Sequence, residues 1–227
     1  MKINSSIFNF KVKNFILKTS IFSFCTLILV VSVNFFGDSG RIYQKGYEKK
    51  ICDLILKSEN VTNISNYDER LFQKTLINRL KVQPDILVLG SSRTMLINSS
   101  IFGGKKLINN SVSGATIEDL IAIFQIYKSK NMLPKKIILG IDPWYFNEFN
   151  NQTRWKSLEK EFNAFYHKEF DEGQNIFDEK TKQLFSFSYF QASISNLLKK
   201  IIEDSEPKET EKIYNHLNTK LVDGSLT

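Results

Sequence analysis

A short apolar run, Ile86-Leu87-Val88-Leu89, ends in Gly90-Ser91-Ser92-Arg93-Thr94. Residues of those types after a strand can do one of three things. A serine on a tight turn is exposed and close to backbone N–H donors. Given a base to take its proton, it can act as a nucleophile. The same hydroxyls and N–H groups can instead cradle a phosphate. The third reading is a solvated turn with no chemistry. The phosphate reading lacks its usual companions, because neither GxGxxG nor GxxxxGK[ST] occurs in the chain.

Two further polar, glycine-containing stretches follow apolar runs in the same way. Leu107-Ile108 leads into "NNSVSGAT", and "KKIIL" leads into Gly140-Ile141-Asp142-Pro143-Trp144. Between them, residues 116–132 have helical periodicity, with Thr116 as N-cap and Glu118 and Asp119 in the first turn. Pro134 separates that helix from the last run. Strand, helix and strand in this rhythm predict a right-handed crossover in an α/β fold. The runs at 86–89 and 137–141 are continuously apolar, which predicts parallel pairing in a sheet covered on both faces. Ligands of such sheets gather beyond the carboxyl ends of the strands, so the three loops should share one rim.

Other elements must carry this sheet. Residues 15–36 form an apolar segment about long enough to cross a bilayer core, uncharged from Thr19 onward. Lys2, Lys11, Lys13 and Lys18 precede its uncharged part, which predicts a cytoplasmic N-terminus and an exported remainder. A cleaved signal peptide would end in small residues, whereas Val33-Asn34-Phe35-Phe36 is bulky. An uncleaved, single-pass anchor in the cytoplasmic membrane is the expectation, with a buried core helix as the plainer alternative. Residues 41–57 and 68–80 read as helices around a polar break, and 187–202 as another helix. Residues 147–186 show no clear rhythm, and "EDSEPKETEK" reads as a solvated break. The expected organisation is a cytoplasmic N-terminus (1–14), an anchor (15–36), a helical membrane-proximal segment (37–83) and an α/β domain (84–227).

The formal net charge is +7 over 227 residues. Several lysines flank the apolar segment and the rest alternate with acids. No basic face or recognition motif marks a nucleic-acid binder, and none is expected. Cys25 lies in the span and Cys52 beyond it, so no disulfide is expected. The two histidines, His167 and His216, have no CxxC or HxxxH companions, so neither a metal site nor another cofactor is expected. Trp144 and Tyr145 can make an aromatic platform for a sugar, or simply core.

The three loops together resemble the SGNH (GDSL-like) hydrolase superfamily. The closer resemblance is to its membrane-anchored, cell-envelope branch of the DltD-like and alginate O-acetylation-like kind. It covers residues 84–146. "LVLGSSRT" matches the first block, with Ser92 at the nucleophile and Ser91 at the aspartate position. "NNSVSGAT" matches the second block at Asn109, Ser113, Gly114 and Thr116. "GIDP" matches the third block at Gly140, but puts Asp142 where the oxyanion asparagine is expected; a carboxylate facing an oxyanion would repel it.

The resemblance implies a flavodoxin-like, three-layer domain. It implies acyl-ester transfer or hydrolysis on a cell-envelope glycan, aided by an acyl-transfer partner protein. Ser92 would be the nucleophile, Gly114 an oxyanion N–H donor, and Ser91, Arg93, Asn109 and Trp144 substrate contacts. The superfamily's base comes from a late Asp-x-x-His block. Ile213 stands three residues before His216, and Ala164 before His167, so neither histidine has that spacing. A truncated or degenerate chain is therefore expected, with no imidazole near Ser92. The alternative is a non-catalytic envelope module that binds a glycan or a partner protein. A literal Gly37-Asp38-Ser39 follows the apolar segment and reads as a polar turn.

Overall fold

The computed structural model describes residues 5–43, 45–168, 181–202, 206–211 and 219–227. The chain forms two compact units. The first comprises Met1–Tyr43 and Gly173–Asp204, and the second Gln44–Glu172 and Ser205–Thr227.

The first unit holds two helices, α1 (Ser5–Gly37) and α6 (Phe187–Ile202). The stretch Val12–Gly37 of α1 is long and apolar enough to cross a membrane. It carries its apolar side chains on every side, as a lipid-facing helix does. At its end Asp38 turns the chain with φ 37°. Its carboxylate accepts hydrogen bonds from the Ile42 and Tyr43 N–H groups at 2.7 and 2.9 Å and from the Tyr189 hydroxyl at 2.8 Å. The Gly37-Asp38-Ser39 motif is therefore a turn. The next helix, expected from Arg41, begins at Tyr47 after Gly46, whose φ is 103°.

The second unit is built on a three-stranded parallel sheet in the order β3-β2-β4. The strands are β2 (Ile86–Leu89), β3 (Leu107–Asn109) and β4 (Lys136–Leu139). Ile86 aligns with Leu107 on one side and Lys136 on the other. Helix α4 (Ile117–Ser129) forms the crossover from β3 to β4. The expected parallel pairing and the expected helix are both present. Mixed α/β architecture with a small parallel sheet thus follows from the strand–helix–strand pattern.

One face of the sheet, with Leu87, Leu89 and Ile108, packs on α4 and on α2 (Tyr47–Leu56) and α3 (Glu69–Arg79). Ile51, Phe72, Leu76, Ile77, Ile123 and Tyr127 complete that core. The other face, with Ile86, Val88, Leu107 and Ile138, is met by Ile97 and Phe102. β4 is an edge strand, and Ile137 and Leu139 on it are exposed.

Two three-residue strands lie in stretches read as polar breaks. β1 (Asn60–Thr62) pairs antiparallel with β5 (Lys208–Thr210). The closing residues 219–227 also join this unit. Lys220 pairs with Val61, the Asn109 N–H donates to Asp223 O at 2.7 Å, and the Leu226 N–H donates to Met95 O at 2.8 Å.

Candidate functional site

The three loops leave the sheet at one edge and are tied to one another there. The Asn110 N–H donates to Val88 O at 2.9 Å, the Val112 N–H to Gly90 O at 3.1 Å, and the Gly140 N–H to Leu89 O at 2.8 Å. The glycines at the strand ends let the loops approach closely. A Cβ on Gly90 would lie 2.5 Å from Thr94 Oγ1 and 3.2 Å from Gly140 Cα. A Cβ on Gly140 would lie 2.5 Å from Thr94 Cγ2. Thr94 fills the space both glycines leave, and its hydroxyl is 2.7 Å from Ser111 Oγ.

Ser91 is buried, and its hydroxyl accepts from the Arg93 N–H at 3.3 Å, capping a 3-10 turn over Ser92–Thr94. Ser92 is exposed on that turn. Asn109 is buried with its carboxamide fully engaged. Its Nδ2 donates to Thr94 O and Ile97 O, both at 2.8 Å, and its Oδ1 accepts from the Ser111 N–H at 3.0 Å. It holds the segment after Ser92 in place.

From the third loop, Asp142 Oδ1 lies 3.1 Å from Arg93 Nη1. The Arg93 guanidinium also sits over the Trp144 ring, 5.0 Å from its centroid. Trp144 Nε1–H donates to Ala115 O at 2.9 Å and so reaches the second loop. Gly114 has φ 53°, a conformation that suits glycine. A Cβ there would lie 2.5 Å from Arg154 Nη2, so the Arg154 guanidinium rests against this glycine. Ser92, Arg93, Gly114, Asp142 and Trp144 therefore belong to one rim.

The second loop is held rigidly from below by α3 and α4. Arg70 Nε and Nη2 each donate to the Asp119 carboxylate at 2.9 Å, and both side chains are buried. Asp119 Oδ2 also accepts from the Thr116 N–H at 2.9 Å. The Glu69 carboxylate takes the Ser113 hydroxyl at 2.8 Å and the Ser113 N–H. Gln73 Nε2 donates to Ser111 O at 3.1 Å, and the Tyr127 hydroxyl donates to Asn110 Oδ1 at 2.7 Å. Sequence reasoning assigned no role to Glu69, Arg70 or Gln73. Polar residues on an amphipathic helix carry no mark of burial beforehand.

Next to the rim lies an open groove of about 430 Å³. Trp144, Tyr145, Trp155, Phe162 and Tyr166 form its apolar walls, and Glu118, Glu148, Asn150 and Gln152 offer polar groups. Trp155 and Phe162 meet edge to face at 5.2 Å, as do Phe162 and Tyr166. The chain has two tryptophans, and both line this groove. Burial, aided by the charge of Asp142, pushes the Tyr145 hydroxyl up to about 12, so it stays protonated at neutral pH. Trp155, Phe162 and Tyr166 come from the stretch without rhythm, where short 3-10 and α segments (Arg154–Leu158 and α5, Glu159–Phe165) present them.

Among the described residues, no imidazole hydrogen-bonds to Ser92, and its hydroxyl has no hydrogen-bond partner. His167 is exposed just past α5, and its N–H bonds back to Ala164 O at 3.3 Å. His216 lies outside the described residues. Among the described residues no cluster of His, Cys, Asp or Glu could hold a metal ion. No family model, curated protein or solved structure matches this chain.

Proposed function

We propose that this chain is a membrane-anchored protein of SGNH-like, three-layer type that handles acyl esters on a cell-envelope glycan. In this reading α1 is the anchor, the N-terminal lysines stay inside, and the second unit works on the exported side. Ser92 is the nucleophile position. The backbone N–H groups of Ser92 and Gly114 are the oxyanion donors, and Arg93 and Trp144 contact the substrate.

The observation that carries the proposal is the continuity of rim and groove. Trp144 belongs to both: it stacks under Arg93 beside Ser92 and forms a wall of the aromatic groove. Flat aromatic faces beside amide and carboxylate edges suit the C–H-rich faces and hydroxyl edges of a saccharide. A volume of about 430 Å³ suits a short oligosaccharide segment. Glu118 and Glu148 on the groove disfavour a uronate and favour a neutral or amino sugar.

A second reading, a non-catalytic glycan-binding module, is supported by two features of the same site. Ser92 lacks a base among the described residues, and the Arg154 guanidinium lies against Gly114, where an oxyanion would need access.

Because both tryptophans line the groove, intrinsic fluorescence reports on it directly. The test is a titration of the full chain in lipid nanodiscs with chitotetraose, singly O-acetylated chitotetraose and tetragalacturonate. Saturable binding of both chitotetraoses is expected, tighter for the O-acetylated one, with little response to the uronate. Ser92→Leu, which crowds the rim without adding a fluorophore, should remove the preference for the acetylated probe. Equal affinity for the two chitotetraoses would leave the binding module alone standing. No response to either would sink both readings.

A further inference from the structure

We infer that α6 lies in the membrane–water interface, with an apolar stripe in the acyl chains of the leaflet at which α1 ends. The stripe is made by Phe187, Ile194 and Leu198. At 3.6 residues per turn, their spacing of seven and four places them along one line of the helix. They are 66%, 39% and 54% exposed.

The opposite side of α6 is polar and faces α1. The Tyr189 hydroxyl donates to Asp38 Oδ1 at 2.8 Å, and Asn196 Nδ2 donates to Gly37 O at 2.6 Å. Ser193 is buried against Gly37 so closely that a Cβ on that glycine would lie 2.6 Å from Ser193 Cβ. Just before α6, Asn34 Nδ2 donates to Gln183 O, Leu184 O and Ser186 O at 3.2, 2.7 and 3.1 Å. A soluble amphipathic helix turns its apolar stripe to the protein and its polar face to water. Here Tyr189, Ser193 and Asn196 are turned to the protein and the stripe outward, flanked by the exposed Ser188, Gln191 and Ser195, as on a helix lying where lipid meets water.

The position of α6 along α1 identifies the medium the stripe meets. The last lysine of α1 is Lys18. From there residues 19–37 rise about 28 Å at about 1.5 Å per residue, close to the ~30 Å thickness of a hydrocarbon core. Gly37 and Asp38, to which α6 is fastened, therefore fall at the far boundary of the core. A helix held there with its stripe outward meets lipid. Interfacial helices bind by burying such a stripe to the depth of the headgroup and acyl boundary.

The test uses nitroxide labels on the full chain in nanodiscs of phosphatidylethanolamine and phosphatidylglycerol. A Cys25→Ser background removes the exposed thiol and leaves Cys52, which is fully buried and unreactive. Labels go on Ile194→Cys and Leu198→Cys in the stripe and on Ala192→Cys and Ser195→Cys beside it. All four positions are exposed, so the fold is undisturbed. Collision with oxygen should be several-fold higher at 194 and 198 than at 192 and 195, and collision with a water-soluble nickel chelate several-fold lower. Free access of the chelate to 194 and 198 would put the stripe in water and overturn the inference. Exclusion of both reagents would mean that protein covers it, from a second copy or elsewhere in the chain, and would overturn it equally.

Discussion

Arg93 and Asp142 pair across the rim at 3.1 Å, although they belong to loops that follow different strands, β2 and β4. The pair is lopsided: the Asp142 side chain is 4% exposed and Arg93 67%. Water screens the arginine, so the link orients Arg93 over Trp144 more than it stabilises the fold. A double-mutant cycle of Arg93→Ala and Asp142→Asn should give a coupling of no more than about 1 kcal/mol. The Arg70–Asp119 pair differs because both partners are buried. Arg70→Met alone should cost about 3–5 kcal/mol, and adding Asp119→Leu should restore much of the loss. Urea unfolding of the full chain in micelles, followed by tryptophan fluorescence, measures both. Equal couplings for the two pairs would contradict the burial argument.

Gly90 and Gly140 are where the loops meet, and neither has room for a side chain. Gly90→Ala forces its methyl onto Thr94 Oγ1. Overpacking of that kind costs about 1–3 kcal/mol. Thr94→Ser removes the methyl that crowds Gly140 but keeps the hydroxyl that bonds Ser91 O. Gly140→Ala should therefore be better tolerated in a Thr94→Ser background than in the wild type, while Gly90→Ala should not be rescued. Unfolding midpoints of both glycine variants in each background, against wild type and Thr94→Ser alone, decide this, and rescue of Gly90→Ala would show that the crowding lies elsewhere.

These glycines explain why the rim was legible in the sequence. A continuous apolar run followed by glycine and small polar residues marks a buried strand whose end is closely approached, and the pattern occurs at both β2 and β4. Crossover helix α4 was legible for the same reason: its cap, acidic first turn and apolar spacing agree. β1 and β5 were not legible. Three-residue polar strands have no periodicity to read, and they exist because they pair with each other. The buttress of Glu69, Arg70 and Gln73 was hidden because burial of a polar helix face depends on partners far along the chain. The same holds for Lys220. A lone lysine in a stretch without periodicity carries no mark of burial, yet it is among the most buried side chains.

Lys220 gives a pH signature. Its Nζ donates to Gly224 O at 3.1 Å and lies 4.8 Å from the Phe72 ring centroid. Burial pushes its ammonium down to about 8, only partly opposed by the charges of Glu69 and Asp223. In the unfolded chain a lysine titrates near ~10.4. Between those values the unfolded state holds a proton that the folded state has released, so stability rises with pH. Below about 8 both states are protonated, and the burial cost is constant. Lys220→Met removes this linkage. The stability advantage of the variant over wild type should be flat below about pH 8 and then shrink by about 1.4 kcal/mol per pH unit towards pH 10. Urea midpoints from pH 7 to 10 for both proteins check it. A difference independent of pH would mean that Lys220 is not desolvated.

Ser92 decides whether the rim does chemistry. Its hydroxyl is exposed and unbonded among the described residues, whereas a serine nucleophile is activated by a hydrogen-bonded base. Arg93 cannot serve, because a guanidinium stays protonated in proteins. Asp142 is paired with Arg93. His167 lacks the family spacing and sits past α5, outside the loops that build the rim. The full chain should therefore react with a fluorophosphonate probe only slowly, and Ser92→Ala should change its weak esterase background little. His167→Ala should change neither. Rapid labelling that Ser92→Ala abolishes would mean that a base reaches Ser92 from residues beyond those described. Loss of that labelling in His216→Ala would identify it, since no other imidazole remains in the sequence. If labelling stays slow while O-acetylated chitotetraose still binds more tightly than its parent, the rim recognises an acyl group without cleaving it. The absence of a base would then be a property of the site.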